Sequence, residues 1–174
     1  MKIEFIKSFL LHFLVLVICM FGFDNSRAQS SNSLKKNGVK KFKITILSSD
    51  YAMAYSIQTS LTDKYITVTY KSGLEGEKDT VLFVKALLPS DTLEQISGIN
   101  INSLQGYYSN PCLEDGSQIT VVLQKENQTK YVHVSNYYQE EVGKIIYLVN
   151  SLVPEKYRVW YNKEQLIADY KKCK

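Results

Sequence analysis

The stretch Gln118 to Val153 constrains this chain more than any other, because two different periodicities follow one another in it without a break. First Ile119, Val121 and Leu123 alternate with Thr120, Val122 and Gln124; after a gap, Val132 and Val134 alternate with Tyr131 and His133. Apolar residues at every second position mark half-buried strands. A turn centred on Glu126 and Asn127 pairs Ile119 with Val134, Val121 with Val132, and Thr120 with His133, and a one-residue slip would turn one strand over. The period then lengthens. Tyr138, Val142, Ile145, Val149 and Leu152, broadened by Ile146 and Val153, fall at helical spacing and predict a helix from Tyr137 to Val153. Asn136 is the expected cap, with Gln139 at the third position, and Pro154 the stop. A hairpin that runs into a helix with an apolar face, which must cover a sheet, predicts an α+β domain.

The N-terminus reads as an address rather than as fold. Lys2 and Lys7 precede a nearly unbroken apolar run from Phe9 to Phe23, and Ser26-Arg27-Ala28 places small residues where signal peptidase reads them. Residues 1–28 are therefore expected to be a signal peptide cleaved near Ala28, because the run falls short of the ~20 residues a membrane span needs. Cys19 follows Val17 and Ile18 inside that run, which does not fit a lipid-attachment site. Removing Lys2, Lys7, Arg27, Glu4 and Asp24 with the leader leaves 18 basic and 15 acidic residues. That balance excludes nucleic acid or an anionic membrane as the obvious partner. The mature chain is long enough for one domain with its own core. It is expected to be periplasmic or secreted, with no membrane association after cleavage.

Export makes Cys112 and Cys173 a candidate disulfide, since an oxidising compartment favours pairing.

Residues 29–38, rich in Ser, Asn and Lys, are expected to be a disordered lead, with one α+β domain over 39–174. Lys41 to Leu47, Met53 to Ser60, Tyr65 to Lys71 and Thr80 to Ala86 read as four strands joined by short turns, which favours an antiparallel meander. Ser90-Asp91 opens a short helix in which Asp91 and Glu94 have capping-box spacing and Gly98 closes the end. Ile99 to Gly116 is irregular, punctuated by Gly106, Asn110-Pro111 and Glu114-Asp115-Gly116. After the long helix a last strand, Tyr157 to Tyr161, and a tail helix, Asn162 to Tyr170, complete the chain. Trp160 is expected to pack under that tail. The fold class is thus an antiparallel sheet of about six to seven strands with two to three helices on one face.

Chemistry is thinly represented. His133 is the one histidine beyond the leader, and a lone strand histidine opposite Thr120 needs a positioned partner before it acts as a base. No H-E-x-x-H, C-x-x-C, phosphate-binding glycine loop or calcium loop occurs, so no catalytic residue, metal or cofactor is assigned. Glu140 and Glu141 read as first-turn charge on the helix. Asn127-Gln128-Thr129 matches a glycosylation sequon, but turn chemistry accounts for Asn127. Tyrosine, in contrast, is abundant at 13 residues, and the doublets Tyr107-Tyr108 and Tyr137-Tyr138 flank the hairpin. With Asp115 and Asn136 they are the candidate binding residues, because tyrosine offers amphipathic contact area to a protein or glycan.

Tyr107-Tyr108-Ser109-Asn110-Pro111-Cys112, Asp115-Gly116, the hairpin, Ser135-Asn136-Tyr137-Tyr138 and the apolar helix ending at Pro154 together resemble a class of small, uncharacterised secreted or periplasmic proteins of Gram-negative bacteria. That resemblance, of layout and turn positions over most of the mature chain, implies a one-layer sheet with helices on one face and export; it implies no activity. The leading expectation is a non-catalytic binding module for a protein or glycan. The alternative is a small hydrolase or lyase using His133 with Asp115 or a tyrosine.

Overall fold

The computed structural model describes residues 40–49 and 55–173. The expected signal peptide and lead, and Met53 and Ala54 of the second expected strand, lie outside them. Among the described residues seven strands form one sheet: β1 (Phe42–Ser49), β2 (Tyr55–Thr62), β3 (Tyr65–Ser72), β4 (Thr80–Ala86), β5 (Tyr107–Ser109), β6 (Gln118–Lys125) and β7 (Gln128–Ser135), in the order β4-β3-β2-β1-β6-β7-β5. Three α-helices accompany it: α1 (Asp91–Gly98), α2 (Glu140–Asn150) and α3 (Lys163–Lys172).

The meander and the hairpin are fused through β1. Ile44 sits between Leu61 of β2 and Leu123 of β6, and Ile46 between Thr59 and Val121. The hairpin has the register its alternation requires, with Ile119 opposite Val134 and Val121 opposite Val132. Its two-residue turn holds Glu126 at φ 50, a left-handed conformation that an L-residue with a long side chain rarely adopts.

Parity decides which face is covered. Phe42, Ile44, Ile46, Leu61, Ile66, Val68, Ile119, Val121, Leu123, Val132 and Val134 point to one side, where they meet Leu93 and Ile96 of α1 and Val142, Ile145, Ile146 and Val149 of α2 in a single buried cluster. Burying each such side chain is worth about 1.5–3 kcal/mol, so this face outweighs every polar contact in the molecule. Ser90 caps α1, its hydroxyl accepting from the Leu93 N–H at 3.4 Å. Lys125 closes the other end, its ammonium donating to the carbonyls of Ser97 (2.7 Å) and Ile99. Among the described residues no helix is long and apolar enough to cross a membrane.

The expected α+β sheet of six to seven strands with two to three helices is present, its one parallel pair among the described residues being β5, in the stretch read as irregular, with β7. Three finer expectations are corrected. The expected strand Tyr157 to Tyr161 is a 3₁₀ turn, Glu155–Tyr157, followed by extended chain outside the sheet. There the Asn150 amide takes the place of a neighbouring strand, accepting from the Val159 N–H at 2.8 Å and donating to its carbonyl at 2.9 Å. Val159 turns inward, and Trp160, one residue on, is 52% exposed instead of lying under the tail. The long helix starts at Glu140 rather than Tyr137, with Gln139 as its cap: the Gln139 side chain accepts from the Val142 N–H at 2.6 Å. Asn136 cannot cap it, because its backbone is at φ 48 and its side chain is committed elsewhere.

Candidate functional site

The two junctions that flank the hairpin meet in space. Asn136, 6% exposed, ties them together: its Oδ1 accepts from the Ser117 N–H at 2.9 Å, and its Nδ2 donates to the Asp115 carbonyl at 2.7 Å and the Leu113 carbonyl at 3.4 Å. Gly116 runs beneath it at φ 120, where a Cβ would lie 2.5 Å from Asn136 Oδ1, so only glycine fits. Asp115 contributes its carbonyl to this arrangement, and its side chain is exposed. Asn136 is therefore a structural clasp. Cys112 and Cys173 are bonded, with Cα atoms 5.5 Å apart, and fasten the same loop to the end of α3.

The four doublet tyrosines divide. Tyr108 stacks on Tyr137 (ring centroids 5.9 Å, 13° between planes), and Tyr137 meets Tyr170 edge to face at 5.2 Å. The Tyr108 hydroxyl accepts from the Gln105 N–H at 2.8 Å. Tyr138 stacks on Tyr161 at 5.2 Å. The Tyr161 hydroxyl accepts from the Gln139 N–H at 2.8 Å and donates to the Tyr137 carbonyl at 2.9 Å, which shapes the chain entering α2. Burial drives the Tyr161 phenol well above the ordinary range, against the lowering effect of the Gln139 N–H. Burial also raises Tyr138, and the neighbouring Glu140 carboxylate adds to it. Three of the four doublet rings are thus packing elements, all half-buried.

Tyr107 is the exception. It points away from the helices, is 60% exposed, and stacks on His133 with centroids 5.5 Å apart and planes at 6°. His133 is held on both nitrogens, Nδ1 to the Thr120 hydroxyl at 3.0 Å and Nε2 to Gln118 Oε1 at 2.9 Å. The Gln118 amide nitrogen donates in turn to Ser135 at 2.9 Å. No carboxylate is among these partners, and the ring lies against Tyr107. Tyr131, two residues earlier on β7 and 63% exposed, shares this open face.

A concavity of about 370 Å³ lies on the opposite side, between α1 and α2. Glu140, Lys144 and Leu148 recur one turn apart along α2, with Gly143 and Tyr147 beside them, while Tyr138 and Gln95 of α1 complete the wall. Gly143 admits the Tyr138 ring to the wall: a Cβ there would lie 2.3 Å from the Tyr138 hydroxyl, which occupies the space instead. Lys163 sits 5.1 Å from the centre of the Tyr138 ring and pairs with Glu140 at 2.9 Å, and Lys144 pairs with Glu141 at 2.7 Å. Sequence reasoning found Tyr138 but missed Gln95, Gly143 and Tyr147. The signal available was a glycine interrupting a good helical stripe, a position that normally has a packing reason.

Among the described residues no group of three or more histidine, cysteine, aspartate or glutamate side chains is arranged to hold a metal ion. Comparison with protein families, with curated proteins and with solved structures found no match.

Proposed function

We propose that the protein is an exported, non-catalytic binding module that engages a protein or glycan partner in the periplasm or outside the cell. One observation carries this reading: among the described residues nothing covers the second face of the sheet. Across it run two rows without a formal charge, Tyr107-His133-Thr120-Leu47-Gln58-Thr69 and Tyr131-Val122-Thr45-Ser60-Thr67-Val84. Tyr107 and Tyr131 rise from one end, more than half exposed, while the hydrogen bonds to His133 hold the base of the platform rigid. Rigid exposed aromatics with little rotamer freedom are the residues that dominate binding surfaces.

The histidine-based hydrolase or lyase gains no support from this geometry. Thr120 and Gln118 occupy both imidazole nitrogens, and a general base needs a free nitrogen within reach of substrate and a group to orient it.

The test is capture from the cell envelope of the source cells, with the oxidised protein and its Tyr107→Ser/Tyr131→Ser variant as parallel baits. The variant is expected to fold normally and to lose the captured species. Equal recovery by both baits would remove the open face from consideration, and an activity abolished by His133→Ala would replace the binding reading with an enzymatic one.

A further inference from the structure

We infer that the notch between α1 and α2 is a binding site for a neutral saccharide unit of one or two rings. Its ligand class follows from the uncharged polar groups that line it and stay open to solvent. The Tyr138 and Tyr147 hydroxyls and the Gln95 amide line the opening without a hydrogen bond to another described residue, and each can both donate and accept. A ligand that meets such groups best carries groups that also do both, and a sugar hydroxyl is the simplest of these.

Charge points the same way. The pocket holds one carboxylate, Glu140, and one ammonium, Lys144, and each already faces an opposite charge outside it, Lys163 and Glu141. The local field therefore favours neither an anion nor a cation.

Shape completes the argument. Tyr147, 74% exposed, lines the notch with its ring, and the Tyr138 hydroxyl, packed onto Gly143, lies at its floor. An aromatic wall packs against the C–H face of a pyranose while the polar groups take its hydroxyls. At about 370 Å³ the site is at the small end of ligand pockets, which suits one or two rings.

The inference rests on the binding-module reading only in asking for no chemistry at the site. It is tested by two-dimensional NMR titration of the oxidised protein with cellobiose and N,N′-diacetylchitobiose, against glucuronate as an anion and glycylglycine as a zwitterion. At least one neutral disaccharide is expected to shift the Gly143, Lys144 and Tyr147 amides saturably, with a Kd on the order of 1 mM, as an open pocket of this size allows. Gln95→Ala and Tyr147→Ala alter exposed side chains, so they should keep the wild-type unfolding midpoint and weaken binding at least tenfold. Failure of both disaccharides to bind, binding confined to glucuronate or glycylglycine, or undiminished binding by the two variants overturns the site. Hydrolysis of the disaccharide in the titration tube would leave the site standing and overturn the non-catalytic reading instead.

Discussion

Removing one hydroxyl tests how the chain enters α2. In Tyr161→Phe the ring keeps its stack on Tyr138, but the Gln139 N–H loses its acceptor and the Tyr137 carbonyl its donor. A group left unpaired away from water costs ~1–3 kcal/mol; two half-buried groups that shared a single oxygen place the loss at about 2 kcal/mol. pH supplies a second signature. Burial holds the folded-state Tyr161 phenol above its ordinary value. Its contribution is therefore whole below the unfolded pKa of about 10, and is lost as pH rises from there toward the folded value, because only the unfolded chain releases the proton. The limiting slope for one group is about 1.4 kcal/mol per pH unit. Water reaches part of this ring, so the loss accumulated by pH 11 is taken as ~1 kcal/mol. Urea unfolding of wild type and Tyr161→Phe at pH 7, 9, 10 and 11 measures the difference directly. The gap should be about 2 kcal/mol at pH 7, unchanged at pH 9, and about 1 kcal/mol at pH 11, since the variant has no phenol to ionise at this position. A gap of full size at pH 11 would refute the buried neutral phenol, and equal stability at pH 7 would refute its role in shaping the helix entry.

Gly143→Ala should destabilise by ~1–3 kcal/mol through the clash with Tyr138, although alanine is favoured over glycine inside a helix by ~1 kcal/mol. The same change in a Tyr138→Ala background should stabilise instead, and urea midpoints of the four-protein cycle report the reversal of sign. Cys112→Ser, opening a loop with a sequence separation of 61, should lower stability by up to about 4 kcal/mol in the chain-entropy limit, read as a lower urea midpoint with retained far-ultraviolet circular dichroism. Glu126→Asn should raise stability by ~0.5–1 kcal/mol, because asparagine visits the left-handed region that the hairpin turn imposes; an unchanged thermal midpoint would show that the turn stores no strain.

What the sequence made legible was whatever a short-range period specifies. The hairpin register and the existence of α2 follow from alternation or helical spacing over eight or more residues, and the bounds of β4 match the expected Thr80 to Ala86. The errors fall where a side chain from elsewhere in the chain replaces a local partner. Asn150 satisfies Val159, so residues 157–161 alternate like a strand without pairing as one. Asn136 spends its amide on the loop at 113–117, so the helix begins three residues later, at the next residue able to cap it. β5 has only three residues, too few to show a period, and its parallel partner β7 is set by the clasp and not by any turn. Capping and strand signals read from composition are local, and these contacts span 9 to 26 residues.

The tyrosine doublets carry the consequence for function. Adjacent residues on a strand point to opposite faces, so Tyr107 and Tyr108 could never both have been surface contacts. Parity sends Tyr108 to the helix side, where it stacks on Tyr137, and leaves Tyr107 on His133 in the open. At the other junction Tyr137 is consumed by packing, and Tyr138 reaches a surface only because Gly143 yields it room. The two surfaces that remain, the Tyr107 and Tyr131 platform and the Tyr138 and Tyr147 notch, lie on opposite sides of the sheet and share no residue. Substitutions on one should then leave the other's binding unchanged within ~0.5 kcal/mol. A Tyr107→Ser/Tyr131→Ser variant that lost disaccharide binding would show that the sheet transmits between them, and that the covered and open faces act as one site.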